Sequence, residues 1–303
     1  METPWGALPV SDAHVHFFSH RFFSTLAEQK KAQFATLAPL LEWELPDEDP
    51  AQLASAWIEE LNRRGVDKAA LIASVPGDAD SVIAAVRKFP QRFYGYSMVN
   101  PLAPTALAQT EQALASGHIR CLCFFPAMHR FSIQDDRVGA LLDLAAARTR
   151  VAIFVHCGVL SVGVRRKLGL ASEFDMRYSN PIELHAVALR YPTLRFIVPH
   201  FGAGYFREAL MLCDLCPNVS LDTSSSNSWM RYEEANINLR TVFRRSLDVA
   251  GPRRLLFGTD SSYFPRGWNA QIFEAQSKVL YEIGVDAETA RLIFHDNLEQ
   301  LFS

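Results

Sequence analysis

Eight short, β-rich apolar runs recur along this chain of 303 residues, each parted from the next by a stretch with helical spacing. They are PVSDAHVHF (9–17), DKAALIASV (67–75), RFYGYSMVN (92–100), IRCLCFFP (119–126), RVAIFVHCG (150–158), LRFIVPHFG (194–202), NVSLDTSSS (218–226) and RRLLFGTDS (253–261). Several are continuously apolar rather than alternating, as strands are when helices cover both faces of a parallel sheet. Eight alternations of strand and helix point to the α/β class and a (β/α)8 TIM barrel. An open doubly wound sheet is the rival, but no Gly-rich G-x-G-x-x-G turn follows the first run to favour it.

The segments between the runs support this reading. Residues 135–148 open with acidic residues and close with Arg148, matching the helix dipole. Residues 181–190 start with Pro181, a good first-turn residue, and 269–283 begin at Asn269, an N-cap type, and stop at Gly284. Residues 18–60 break the repeat. This excursion holds Trp43, Trp57, two prolines at 39 and 46 and the acidic PDEDP, and reads equally as a lid or as an oligomer contact. A second long loop, rich in Gly and Arg, spans 158–180. No low-complexity tract or Pro/Gly linker divides the chain, so we expect one barrel domain over 1–303 with the excursion inserted at about 18–60.

Composition removes other classes. The chain is 49% hydrophobic and carries a net charge of −3 with both signs interspersed, which predicts no nucleic-acid or membrane partner. No apolar run is long enough to span a bilayer, and METPWGALPV lacks the features of a signal peptide. The five cysteines are an odd number, and the Cys213-x-x-Cys216 pair has no second pair to complete a zinc site. Reduced, mostly buried thiols and a cytoplasmic location are the expectation.

The chemistry is expected where ionisable residues end the runs. His14 and His16, one residue apart on a strand, point the same way, roughly 6–7 Å apart along it. His156 ends the fifth run, His200 the sixth and Asp260 the eighth; Asp222 lies in the seventh. One buried histidine alone is most simply a satisfied core residue. An ionisable group at the end of an apolar run is costly unless paired or bound, and barrels gather such ends at one rim. His14, His16, His156, His200 and Asp260 together suit zinc or a similar divalent ion with an open position.

In chain order DAHVHF, VHCG, VPHFG and LLFGTDSSYF resemble the amidohydrolase superfamily. Within it the chain is similar to the amidohydrolase-2 branch, which includes aminocarboxymuconate-semialdehyde decarboxylase, resorcylate decarboxylases and sugar-lactone hydrolases. The resemblance runs to the terminal IFHDNLEQLF. It implies that His14, His16, His156 and Asp260 hold one divalent metal ion, zinc first and manganese second. It also implies that His200 sits beside the activated water, with Asp260 and His200 as the acid–base pair. The fourth run departs from the pattern: CLCFFP offers no lysine to carbamylate, so a bridged two-metal site is not expected, and Phe124-Phe125-Pro126 replaces a K-x-H-P-like sequence.

Two reactions suit such a site. A metal-activated water would hydrolyse an ester, lactone or amide. Protonation of a ring or vinyl carbon followed by loss of carbon dioxide would make the protein a decarboxylase. Hydrolysis is preferred because it needs fewer special groups; a barrel that has lost its chemistry and only binds is the third reading. The substrate is expected to be a small carboxylated or cyclic molecule. Arg130, Arg165, Arg166 and Arg177 follow strands four and five and could grip a carboxylate, with Arg130 and Arg177 preferred. Trp229, Tyr232, Tyr263 and Phe264 could wall the pocket. A homodimer is what the resemblance implies for assembly.

Overall fold

β-Branched and aromatic residues dominate the apolar runs, and a chain of that kind is stable as a strand only when both of its faces are covered. The computed structural model describes residues 1–225, 227–234 and 237–303. Its strands are β1 (Ser11–Phe17), β2 (Lys68–Ala73), β3 (Phe93–Val99), β4 (Ile119–Phe124), β5 (Ala152–Val155), β6 (Arg195–Val198), β7 (Val219–Asp222) and β8 (Leu255–Leu256). Each pairs with its sequence neighbour in parallel, so the sheet runs in chain order from β1 to β8. Its two ends meet. Ala13 N–H donates to Phe257 O at 2.8 Å, Asp260 N–H to His14 O at 3.0 Å and His16 N–H to Ser261 O at 2.7 Å. With helices between the strands, this is the (β/α)8 barrel that the alternation predicts.

Every strand falls inside its predicted run, but the later ones are short. β8 keeps only Leu255 and Leu256 of the run 253–261. The polar run ends lie beyond the strand bounds: His156, His200 and Asp260 all follow their strands. Backbone conformation gives the reason for two of them. His200, Phe201 and Ala203 have φ of 57°, 54° and 44°, and Asp260 has φ 58°. No strand holds left-handed residues, and non-glycine residues in that region concentrate at functional sites. Ser226, which ends the seventh run, lies outside the described residues.

The predicted helices form as Asp136–Ala146, His185–Arg190 after a 3-10 turn at Pro181–Leu184, and Ala270–Glu282. Asn269 occupies the N-cap position, but its side chain caps nothing; its own N–H donates to Ser261 Oγ at 2.9 Å. The excursion divides in two. Its second half is the helix Pro50–Arg64, capped by Asp49, which joins β1 to β2 as an ordinary barrel helix. Its first half, with helices His20–Lys30 and Leu37–Leu41, builds a separate apolar cluster. There Phe22, Phe23, Leu26, Leu37 and Leu41 bury against Val164 and Leu168 of the 158–180 loop. The two segments that break the repeat are therefore each other's partners, and they roof one side of the barrel mouth.

Side chains alternate along the strands as a covered sheet requires. Ala70, Ile72, Tyr96, Met98, Cys121, Cys123, Phe154 and Ile197 fill the interior, while Leu71, Leu122, Ile153 and Phe196 pack under the helices. β1 departs from the rule: Ala13 belongs to the interior, whereas Val15 and Phe17 pack outside. A register shift between Asp12 and Val15 accounts for the switch, because a bulge re-aims the side chains beyond it. All five cysteines are free and buried. Among the described residues, no helix is long and apolar enough to cross a membrane.

Candidate active site

His14 lies within the β1 register shift, His16 just past it and Asp260 past β8, so the barrel seam brings them together. His14 Nε2 and His16 Nε2 are 3.3 Å apart. Asp260 Oδ1 lies 3.3 Å from His16 Nε2 and 3.6 Å from His14 Nε2. These three residues form a group whose ligand atoms lie within 4.8 Å of one another.

Donor and acceptor accounting shows what the group suits. His14 Nδ1 donates to Asp222 Oδ2 at 2.6 Å. His16 Nδ1 donates to Ser74 Oγ at 2.8 Å, because the Ser74 proton is spent on Ile72 O at 2.9 Å. In the neutral rings both Nε2 atoms then carry bare lone pairs. Two lone pairs and a carboxylate oxygen at this spacing repel unless positive charge lies among them. Histidine ligands held by a carboxylate or hydroxyl on the far nitrogen are the usual support of a metal site. The residues therefore fit a divalent ion.

The electrostatics agree. Burial works against a charge on His14, but the carboxylates of Asp222 and Asp260 outweigh it and raise its pKa. Burial likewise works against ionising Asp260, yet the His16 hydrogen bond and the neighbouring imidazoles hold it well below the usual carboxylate range. Burial lowers His156 and His200, and their neighbouring imidazoles lower them further. The site thus calls for a cation while keeping its outlying imidazoles neutral.

Two further groups brace the seam. Asp12 is fully buried and accepts from His14 N–H (2.9 Å), Thr259 N–H (3.1 Å), Trp268 Nε1 (2.7 Å) and the Thr259 hydroxyl. It ties the β8 loop to β1 directly beneath the three residues. Burial outweighs these bonds and pushes its pKa up to about 6. Gly258 leaves the needed room: a Cβ there would lie 2.8 Å from Asp222 Oδ1 and 3.0 Å from His14 Cβ.

His156 and His200 stand beside the group without joining it. Their rings are 5.3 Å apart, and His200 lies 5.0 Å from the His14 ring, centroid to centroid. His200 Nδ1 donates to Ser224 O at 3.1 Å. His156 stacks on Phe125 at 5.3 Å, and its Nδ1 is buried with no hydrogen-bond partner among the described residues.

The mouth opens into a cavity of about 1210 Å³, whose wall includes His16, His156, His200 and Asp260. Arg130 is on that wall, but its guanidinium is engaged by Glu173 O and Glu173 Oε2. Trp229 is buried on the wall against Phe201 and Phe206. Arg177 is a correction: it lies off the wall, 83% exposed and bridged to Asp175 at 2.6 Å, because the 3-10 turn Met176–Tyr178 turns it outward. Phe264 is another, since it packs on Trp57 instead of facing the cavity.

The family model for amidohydrolases matches residues 11–303. The chain belongs to the amidohydrolase family. This amidohydrolase is 29% identical over 114 residues to protein fluG of Emericella nidulans, a match covering 37% of the chain and 13% of that much longer relative. Solved structures share the fold over almost the full length. An uncharacterised TIM-barrel protein of Bordetella bronchiseptica matches with a TM-score of 0.66 at 17% identity, covering 97% of this chain and 98% of that one. A probable 2-pyrone-4,6-dicarboxylic acid hydrolase of Acinetobacter baumannii, with citric acid bound, gives 0.60 at 13% identity, covering 97% and 99%. A 5-carboxyvanillate decarboxylase of Novosphingobium aromaticivorans, with manganese bound, gives 0.61 at 15% identity, covering 99% and 98%.

Sequence reasoning gave no role to Asp222, Ser74 or Ser224, although each touches a histidine of this amidohydrolase site. Asp222 carried a usable signal, a carboxylate inside the seventh run directly after Val219-Ser220-Leu221. The two serines carried none, because a hydroxyl at a strand end is common and inexpensive.

Proposed function

We propose that this amidohydrolase is a metal-dependent hydrolase of a small carboxylated or cyclic ester, lactone or amide, with a non-oxidative decarboxylase as the second reading. The convergence of His14 Nε2, His16 Nε2 and Asp260 Oδ1, with both far nitrogens tied down, carries the proposal. His14, His16 and Asp260 would hold one divalent ion, with His156 the fourth ligand; the nitrogen-rich set favours zinc, with manganese next. When bound, such an ion polarises a carbonyl oxygen and makes water acidic enough to react near neutral pH.

The chain's own groups do the rest. His200 Nδ1 is spent on Ser224 O, which leaves Nε2 as the basic nitrogen that takes a proton from water and returns it to the leaving group. Asp260, kept ionised, serves as the second proton acceptor at its free oxygen. Asp222 and Ser74 fix the tautomers of His14 and His16. Trp229, Tyr232 and Tyr263 on the wall suit a planar ring. The likeness in fold to a carboxyvanillate decarboxylase favours the second reading, in which the same proton is delivered to carbon. A small-molecule substrate is proposed for either reaction, and a homodimer for the assembly.

Metal analysis of the purified protein, followed by a panel of lactones and aromatic acids, tests both readings. About one equivalent of zinc or manganese is expected by analogy with mononuclear sites. Acid appearing at a pH-stat supports hydrolysis, and carbon dioxide release supports decarboxylation. His156→Ala should lose the ion, whereas His200→Asn should keep it and slow turnover by about 10²–10⁴-fold. A protein that refuses zinc and manganese when they are supplied would end the proposal.

A further inference from the structure

The cavity wall carries six cationic side chains, Arg130, Arg165, Arg166, Lys167, Arg231 and Arg266, against two carboxylates, Glu173 and Asp260. Most of these cations already have work elsewhere. Arg130 bonds Glu173, Arg165 bonds Gln29 and Ala171 O, Lys167 bonds Leu41 O and Arg231 bonds the Tyr232 hydroxyl. Arg166, on the short helix Gly163–Lys167, is exposed, as Arg266 is, but among the described residues it makes no hydrogen bond to the loop that carries Asp260.

Arg266 differs in where it stands. Its Nη2 donates to Asp260 O at 3.3 Å and Ser262 Oγ at 3.1 Å, so the guanidinium hangs on the backbone of the metal-site loop itself. A guanidinium has five N–H donors, and Nε and Nη1 have no partner among the described residues. The group is also held from below. Its Cζ lies 4.5 Å over the Tyr263 ring, Tyr263 stacks on Trp43 at 3.8 Å and 10°, and Lys167 Nζ lies 5.6 Å from the Trp43 ring. Glu44 N–H donates to Phe264 O at 3.0 Å, locking the two loops that carry this column. A cation fixed in place, with donors to spare, beside a reaction centre loses little freedom on gripping an anion.

We propose that Arg266 is a substrate-positioning residue that clamps a carboxylate of the substrate while the reacting group lies among His14, His16 and Asp260. The substrate would then carry an anionic group separate from the one that reacts. This rests on the metal-dependent reading above.

The test compares benzohydroxamate, whose hydroxamate seeks the metal, with 3-carboxybenzohydroxamate, by calorimetric titration of the full-length, zinc-loaded protein. The carboxylated probe should bind about 10–100-fold tighter, the range for a hydrogen-bonded charge pair. Arg266→Met should erase that advantage while the parent hydroxamate weakens little, and Arg266→Lys, a point charge without the fork, should keep part of it. An advantage that survives in Arg266→Met overturns the proposal. So does an equal loss for both probes, which would make Arg266 a structural brace only. If the parent hydroxamate binds normally but the carboxylate brings no gain, the clamp fails while the metal site stands; if neither probe binds, both fall.

Discussion

At the scale of single residues, the site is decided by which nitrogen of each imidazole carries the proton. Asp222 can only accept from His14 Nδ1 when ionised, and that leaves Nε2 bare. Asp222→Asn presents an amide that can donate instead and turn the tautomer round. We expect it to weaken metal affinity by about 10–100-fold, read by competition with a chromogenic chelator. An unchanged affinity would mean that Asp222 does not set the tautomer. His129, on the cavity wall, offers a pH prediction away from the ligands. Its Nδ1 is buried with no hydrogen-bond partner among the described residues, and burial lowers its pKa from 6.5 to about 4. In the unfolded chain the ring takes up a proton below 6.5, while the folded ring resists until about 4. The unfolded state therefore binds more protons in that window, and stability falls as pH falls through it. Denaturation at pH 7 and pH 5 should show a larger loss in the wild type than in His129→Gln; equal losses would show that the ring is not the source. Of the residues that matter here, histidines could be read from sequence because a polar group ending an apolar run is costly. Ser74 and Ser224 could not, because a hydroxyl costs little anywhere.

At the scale of elements, the informative part was the mismatch between apolar runs and strands. The runs 150–158, 194–202 and 253–261 extend past β5, β6 and β8, and the surplus is site: His156, His200 and Asp260. Composition marks where chain is buried, not where the ladder ends, so an apolar loop bent through left-handed residues reads as strand. The β1 bulge was equally hidden, since nothing in SDAHVHF distinguishes a regular strand from one with a register shift. The roof over the mouth was visible only as two stretches that break the repeat; their pairing depends on distant contacts such as the hydrogen bond from Lys167 Nζ to Leu41 O. Trp43 connects that roof to the metal-site loop through its stack on Tyr263. Trp43→Ala should cost about 1–2 kcal/mol, from the lost ring pair and the lost Lys167 contact, and should speed protease cleavage within 158–174. A variant that melts and digests like the wild type would show that the stack does not hold the roof.

At the scale of the whole molecule, barrel architecture was legible because eight covered strands with helical spacers leave few alternatives. What the substrate is could not be read, because it depends on the roof and on cations such as Arg266 whose surroundings only folding assembles. A ligand that binds the folded chain alone adds stability as its concentration exceeds its dissociation constant. Removing the ion with a chelator should therefore lower the melting temperature by several degrees, and resupplying zinc should restore it. A melting curve indifferent to both would mean that the folded chain has no use for the ion.

The seam gives this a temporal meaning. His14 and His16 belong to the first strand and Asp260 follows the last, with main-chain bonds joining them across nearly the full length of the polypeptide. A ribosome-bound fragment lacking Asp260 has only part of the ligand set, however well its early helices have formed. Uptake of the ion would then work as a completion mark, acquired only by molecules whose first and last strands have found each other.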